Sequence, residues 1–102
     1  MTRASISTHV LDTTAGRPAA GVHIELQQGG RAVAEGVTDG DGRVRELAKD
    51  LEPGTYRLVF ETQAYASDAF FQRVALDVEL APGHTHVPLL LSRYGVTSYR
   101  GS

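Results

Sequence analysis

The sequence predicts an all-β protein folded as an antiparallel sandwich. Three observations point to it. Polar and apolar residues alternate instead of recurring every three or four positions, the alternating runs are short, and each is closed by glycine- or proline-bearing turn residues.

The first run, Ser5–Leu11, places Ile6, Thr8 and Val10 on one face and Ser7, His9 and Leu11 on the other. Val22–Leu26 alternates cleanly, with Val22, Ile24 and Leu26 inward, and a short strand begins at Arg43. Tyr56–Phe60 alternates again. Val74–Leu80 turns Val74, Leu76, Val78 and Leu80 inward and Ala75, Asp77 and Glu79 outward. Between these runs lie Ala15-Gly16-Arg17-Pro18, Gln28-Gly29-Gly30, Asp39-Gly40-Asp41-Gly42, Glu52-Pro53-Gly54 and Ala81-Pro82-Gly83, all suited to tight turns. Seven or eight short strands at this spacing suit a sandwich. One helical turn is expected at Thr62–Ala66.

Val87-Pro88-Leu89-Leu90-Leu91 breaks the alternation. Leu89 and Leu91 face one way and Leu90 the other, so both faces need cover, which a second subunit would supply. Pro88 lacks the N–H that a ladder needs, which predicts an edge, a bulge or a local break there.

At 102 residues the chain is read as one domain, 1–102. A domain this small buries only about 60–65% of the surface its unfolded chain exposes, so subunit association would help its core. The absence of cysteine excludes disulfides and thiolate metal sites. A formal net charge of −2 with interspersed signs leaves no basic stripe for nucleic acid. The opening residues lack the apolar centre of a signal peptide, and no stretch is long enough to span a bilayer. The expectation is a cytoplasmic protein with neither nucleic-acid nor membrane partners.

Chemistry concentrates near the end, where His84 and His86 share a strand face and the sequence closes on Tyr99-Arg100-Gly101-Ser102. With His9 they make three histidines, which could hold zinc with an open position or could be ordinary strand residues. Arg43 follows the Asp39–Gly42 turn and offers a permanent planar cation for carbonyl or carboxylate oxygens; Arg45 points the same way, and pattern alone does not choose between them. Asp39-Gly-Asp-Gly lacks the terminal glutamate of a calcium loop, and no phosphate loop or nucleophile elbow is present.

Ser7-Thr8-His9-Val10-Leu11-Asp12, Gly16-Arg17-Pro18-Ala19, Asp41-Gly42-Arg43, His84-x-His86-Val87-Pro88-Leu89-Leu90-Leu91-Ser92 and terminal Tyr99-Arg100-Gly101-Ser102 together resemble the 5-hydroxyisourate hydrolase branch of the transthyretin-like family. The resemblance runs from residue 5 to 102. It implies a sandwich of two four-stranded sheets with one short helix, and a homotetramer built as a dimer of dimers with active sites where dimers meet. It also implies no metal and no organic cofactor. The implied activity is hydrolysis of 5-hydroxyisourate, a small purine-derived substrate, to 2-oxo-4-hydroxy-4-carboxy-5-ureidoimidazoline in urate catabolism.

Residue by residue, the resemblance assigns His9, Arg43 and His86 as catalytic and settles the choice of arginine against Arg45. His9, Arg43 and Tyr99 match substrate-contacting positions. Ser102 is assigned as catalytic as well, bringing its hydroxyl and terminal carboxylate to the site. His84 falls in the motif with only a supporting role implied. Tyr94-Gly95-Val96-Thr97-Ser98 and a short loop between the sixth and seventh strands depart from the family pattern without touching these positions. A non-catalytic carrier of a small ligand and an Ig-like interaction domain are the rival readings. The three polar groups speak against the first, and a monomer would favour the second.

Overall fold

The computed structural model describes residues 3–101. Nine strands follow one another: β1 (Ala4–Asp12), β2 (Arg17–Pro18), β3 (His23–Gln28), β4 (Arg31–Val37), β5 (Arg43–Leu51), β6 (Gly54–Glu61), β7 (Val74–Leu80), β8 (Gly83–Leu91) and β9 (Val96–Ser98). β4, β3, β6 and β7 form one four-stranded antiparallel sheet. The other sheet runs β2-β1-β8-β9, with β5 also on β1.

The inward faces are those the alternation predicts. Ile6, Val10, Val22, Ile24, Leu26, Leu58, Phe60, Leu80 and Leu89 are fully buried between the sheets. Each large side chain withdrawn in this way contributes about 1.5–3 kcal/mol of transfer free energy. Thr8 is buried with them and donates its hydroxyl to the Val87 carbonyl at 2.6 Å, so its polar atom is satisfied inside the core.

Three details differ from the expectation. The sandwich is not wholly antiparallel, because β1 and β8 pair in parallel from Ala4↔Gly83 to Asp12↔Leu91. Alternation reports which face a residue occupies and is blind to the direction of the neighbouring strand. The second sheet has a fifth member, the two-residue β2, folded onto the end of β1 by the Asp12–Gly16 turn. Thr62–Ala66 forms no helix. It closes a single turn in which the Thr62 carbonyl accepts from Tyr65 N at 3.1 Å and Ala66 N at 2.9 Å. Five residues cannot repay helix nucleation alone, and tertiary bonds hold the turn instead: Thr62 Oγ1 donates to the Phe71 carbonyl and Tyr65 Oη to Asp12 Oδ2.

Pro88 produces the local break on one side of β8. The β8–β9 ladder runs from Leu91↔Val96 to Leu89↔Ser98, lapses opposite Pro88 and Val87, and returns in the same register as a single bridge between His86 and Gly101. Gly101 N donates to the His86 carbonyl at 2.7 Å, so the backbone groups of alternate residues His86 and Pro88 face β9. The missing proline donor therefore costs the β9 ladder and leaves the β1 ladder intact.

Candidate active site

The parallel β1–β8 register builds the site. It lines up Ser5 with His84, Ser7 with His86, His9 with Pro88 and Leu11 with Leu90, all on the outer face of the sheet. One end of this row is polar and the other apolar. On the far edge of β1, antiparallel pairing with β5 sets Arg43 opposite His9.

The turn preceding Arg43 is fixed by Asp39. Its Oδ1 accepts from Asp41 N at 2.9 Å and Arg43 N at 3.0 Å, and the Arg43 amide is the main cause that holds the Asp39 carboxyl below its usual range. Gly42 has φ +75° and lies where the edge of β1 passes from β5 to β2. A Cβ there would run into the Val10 carbonyl oxygen and close on Pro18 and Ala19. The turn holds the Asp41 carbonyl toward His9, whose Nε2 bonds it at 2.8 Å. A carbonyl only accepts, so His9 Nε2 carries the proton and Nδ1 keeps a lone pair.

His86 is anchored differently. Its Nδ1 lies 2.7 Å from Ser7 Oγ, which leaves Nε2 as the unengaged nitrogen. The His9 and His86 rings are 6.5 Å apart between centroids and tilted by 42°. That separation precludes a direct hydrogen bond and leaves room for a water or a flat ligand edge. Partial burial, followed by repulsion from His9 when it is protonated, from Arg43 and from His84 when it is protonated, holds His86 below the usual histidine range, which favours its neutral form.

Two adjoining open recesses run over these groups, one of about 410 Å³ floored by His9, Leu11, Pro18 and Asp41, the other of about 150 Å³ at Ser7, Thr8 and His86; Arg43 and Arg45 line both. Arg45 stands 3.8 Å from the Asp41 carboxylate, whereas Arg43 makes no ion pair among the described residues. The structure thus brings together His9, Arg43 and His86. Tyr99 lines a different groove, with Leu76, Val78, Thr85 and Val87 at the open edge between the sheets. Ser102 lies outside the described residues, although Gly101 is tied to His86. Among the described residues, no group of three or more histidine, cysteine, aspartate or glutamate side chains is arranged to hold a metal ion.

Ser7, the Asp41 carbonyl and Arg45 are site components that motif reading passed over or set aside. Ser7 shares a face with His9, which was a signal, but nothing in the spacing ties it to His86 until the strand register is known.

The model of the HIUase/Transthyretin family matches residues 6–101. The chain belongs to this family. A 5-hydroxyisourate hydrolase from Salmonella dublin is 40% identical to it over 109 residues, covering 95% of this chain and 80% of that protein. The solved 5-hydroxyisourate hydrolase of Klebsiella pneumoniae superposes with a TM-score of 0.92 at 35% identity, covering 97% of this chain and 99% of that one. Sea bream transthyretin in complex with thyroxine superposes with a TM-score of 0.88 at 27% identity over 94% of this chain and 93% of that one. The fold is therefore shared by a 5-hydroxyisourate hydrolase and a thyroxine-bound transthyretin, so the fold alone does not separate them. No helix of the described residues is long and apolar enough to cross a membrane.

Proposed function

We propose that this protein hydrolyses 5-hydroxyisourate in urate degradation, with His9 and His86 sharing the general base and acid roles and Arg43 as the oxyanion and substrate clamp. The carrying observation is the convergence of two histidines, each with one nitrogen held by the protein and one turned loose, beside an arginine without an ion pair among the described residues. A carrier recess has little use for this arrangement.

The substrate is a flat, oxygen-rich purine derivative whose six-membered ring opens at an acyl C–N bond. Water at neutral pH needs a base, and a neutral imidazole supplies one. The attacked carbonyl gathers negative charge, which the fixed Arg43 guanidinium stabilises. The departing nitrogen takes its proton from the second histidine. Tyr99 and Ser102 are assigned to orient substrate or water in this reading; of the terminal segment, Gly101 is bonded to the His86 backbone, while Tyr99 lines the neighbouring groove and would have to be turned toward the site.

The working assembly in this reading is a homotetramer, a dimer of dimers whose sites form where dimers meet. The half-covered Leu11–Leu90 pair beside the recess supports it, since the described residues leave this apolar end of the outer face only partly buried. A cytoplasmic setting fits a chain with no cysteine to oxidise.

The decisive assay follows the absorbance of 5-hydroxyisourate against its spontaneous decay, with wild-type protein and the His9→Ala, His86→Ala and Arg43→Ala variants. The wild type accelerates the loss and each folded variant largely fails to. Near-wild-type rates in all three would reject the mechanism, and a wild type that leaves the decay unchanged would reject the activity.

A further inference from the structure

His84 and Ser7 have no part in the reaction so far described, yet they adjoin it. Ser5 Oγ lies 2.7 Å from His84 Nδ1, Ser7 Oγ lies 2.8 Å from His84 Nε2, and the same Ser7 Oγ lies 2.7 Å from His86 Nδ1. The four side chains form one continuous chain of hydrogen bonds along the outer face, Ser5–His84–Ser7–His86. Within it Ser7 is buried, at 6% exposure, and His86 half-buried, while His84 is open to solvent. The parallel register makes this possible, because it sets Ser5 beside His84 and Ser7 beside His86, two residues on.

We infer that Ser7 and His84 are positioning residues for His86: the chain they form fixes which ring nitrogen faces the recess and exchanges the His86 proton with solvent. The inference rests on the reading of His86 as an acid–base residue.

A serine hydroxyl has one proton to donate and lone pairs to accept, so the two bonds of Ser7 to histidine nitrogens are coupled. If Ser7 donates to His84 Nε2, it accepts from His86 Nδ1–H, and His86 Nε2 presents a lone pair. If His84 Nε2–H donates to Ser7, the Ser7 proton goes to His86 Nδ1, and Nε2 presents a proton. The chain has two polarities, and each matches one acid–base role.

Dividing base and acid work between two histidines leaves one with a proton gained and the other with a proton lost, so both must be reset before the next turnover. When His86 holds the extra proton, Nδ1–H passes to Ser7 Oγ as the Ser7 proton passes to His84 Nε2. His84 then releases Nδ1–H to Ser5 or water. Only N–H and O–H bonds change, and the net result is one proton delivered from His86 to solvent. The reverse sequence loads His86 when it has given a proton away. Each passage also reverses the polarity of the chain, so His86 returns in the opposite tautomer, and its starting tautomer is restored when Nε2 exchanges its proton with water in the recess.

The test compares Ser7→Ala, His84→Ala and His86→Ala with wild type in steady-state hydrolysis of 5-hydroxyisourate, with and without added imidazole, and reads the His86 tautomer from its ring-nitrogen NMR shifts. Ser7→Ala and His84→Ala should lower kcat about 10-fold, less than the roughly 10²–10⁴ that general acid–base catalysis itself supplies, with KM moving less than about twofold. Imidazole should restore His84→Ala, whose gap is open to solvent, and should not restore Ser7→Ala. In Ser7→Ala the His86 ring should lose its anchor at Nδ1, and its tautomer ratio should move away from that of wild type. Unchanged kcat in both variants would overturn the inference, as would a loss that imidazole fails to rescue in His84→Ala while the tautomer of His86 stays as in wild type. Should Ser7→Ala not fold, the exposed His84→Ala decides alone. An active His86→Ala would instead remove the catalytic reading on which the inference stands.

Discussion

His9 and His86 face each other diagonally across the parallel β1–β8 pair, with 6.5 Å between ring centroids, and each gives one nitrogen to the protein. His9 spends Nε2 on the Asp41 carbonyl, and His86 spends Nδ1 on Ser7. The two anchors differ in kind. A carbonyl can only accept, so His9 is locked into one neutral tautomer, whereas a hydroxyl permits both for His86. The pair is therefore asymmetric by construction, with His9 held as a lone-pair bearer at Nδ1 and His86 able to switch.

Arg43→Lys tests whether the clamp needs the guanidinium fork or only its charge. Lysine keeps the charge and loses the rigid planar donors. Loss of a positioned oxyanion donor costs about 10²–10³ in kcat, roughly 3–4 kcal/mol, and Arg43→Lys is expected in that range by the 5-hydroxyisourate absorbance assay. Arg45→Lys should lose far less, because Arg45 stands against Asp41. The opposite ranking would transfer the clamp to Arg45.

The depressed pKa of His86 predicts a pH-dependent stability. Burial comes first among its causes, then the charges of His9, Arg43 and His84. The unfolded chain takes up this proton near the ordinary value of 6.5, while the folded chain resists until lower pH. Between those two values the unfolded state binds more protons, so stability rises with pH and is lost as pH falls through the window. Above 6.5 the group contributes no penalty. His86→Gln removes the titration, so its melting temperature should gain on that of the wild type as pH drops from about 7.5 to about 5. A constant difference across that range would contradict the depressed pKa.

The one-sided burial of Ile6 and Val10, Ile24 and Leu26, and Leu58 and Phe60 was legible because alternation in a half-buried strand maps directly onto its inward face. Pro88 was legible too, since a missing N–H has a local consequence. The parallel pairing of β1 with β8 was not, because strand direction depends on how distant segments meet. The Thr62–Ala66 turn looked helical by composition, but Tyr65 and Thr62 spend their hydroxyls on Asp12 and Phe71. His9 and Arg43 were candidates by residue type, but pattern left Arg43 level with Arg45 until the family resemblance chose it, and their adjacency comes only from antiparallel registry. Ser7 illustrates the limit most sharply: its face was correct from period two, and its partners came only from register.

Gly42→Ala should destabilise the fold and disturb the site together. Glycine tolerates φ +75°, whereas a Cβ there meets the Val10 carbonyl oxygen. The left-handed conformation alone costs a non-glycine residue about 1–2 kcal/mol, and backbone displacement adds to it. We expect a loss of about 2–4 kcal/mol in denaturant unfolding, with lowered activity in the folded fraction, because Asp41 and Arg43 flank the strained residue. A variant of wild-type stability would show that β1, β2 and β5 can separate at their junction without cost.

Gly101→Ala should do the reverse, sparing stability and harming catalysis. A Cβ on Gly101 would lie 2.9 Å from His86 Cδ2 and 3.2 Å from the His86 carbonyl oxygen, both tighter than ordinary contact. The bridge it disturbs is a single hydrogen bond near the chain end, whose net worth is about 0.5–1.5 kcal/mol, and no core side chain depends on it. The His86 ring can yield only by turning, which breaks its bond to Ser7 and moves Nε2 relative to His9 and Arg43. Small displacements of reacting groups are costly, with about 1 Å able to remove 10²-fold in rate. Gly101→Ala should therefore melt within a few degrees of wild type while losing about 10-fold or more in kcat. Unimpaired turnover would mean that the terminal segment can move aside without shifting His86, and would separate the chain end from the catalytic group it touches.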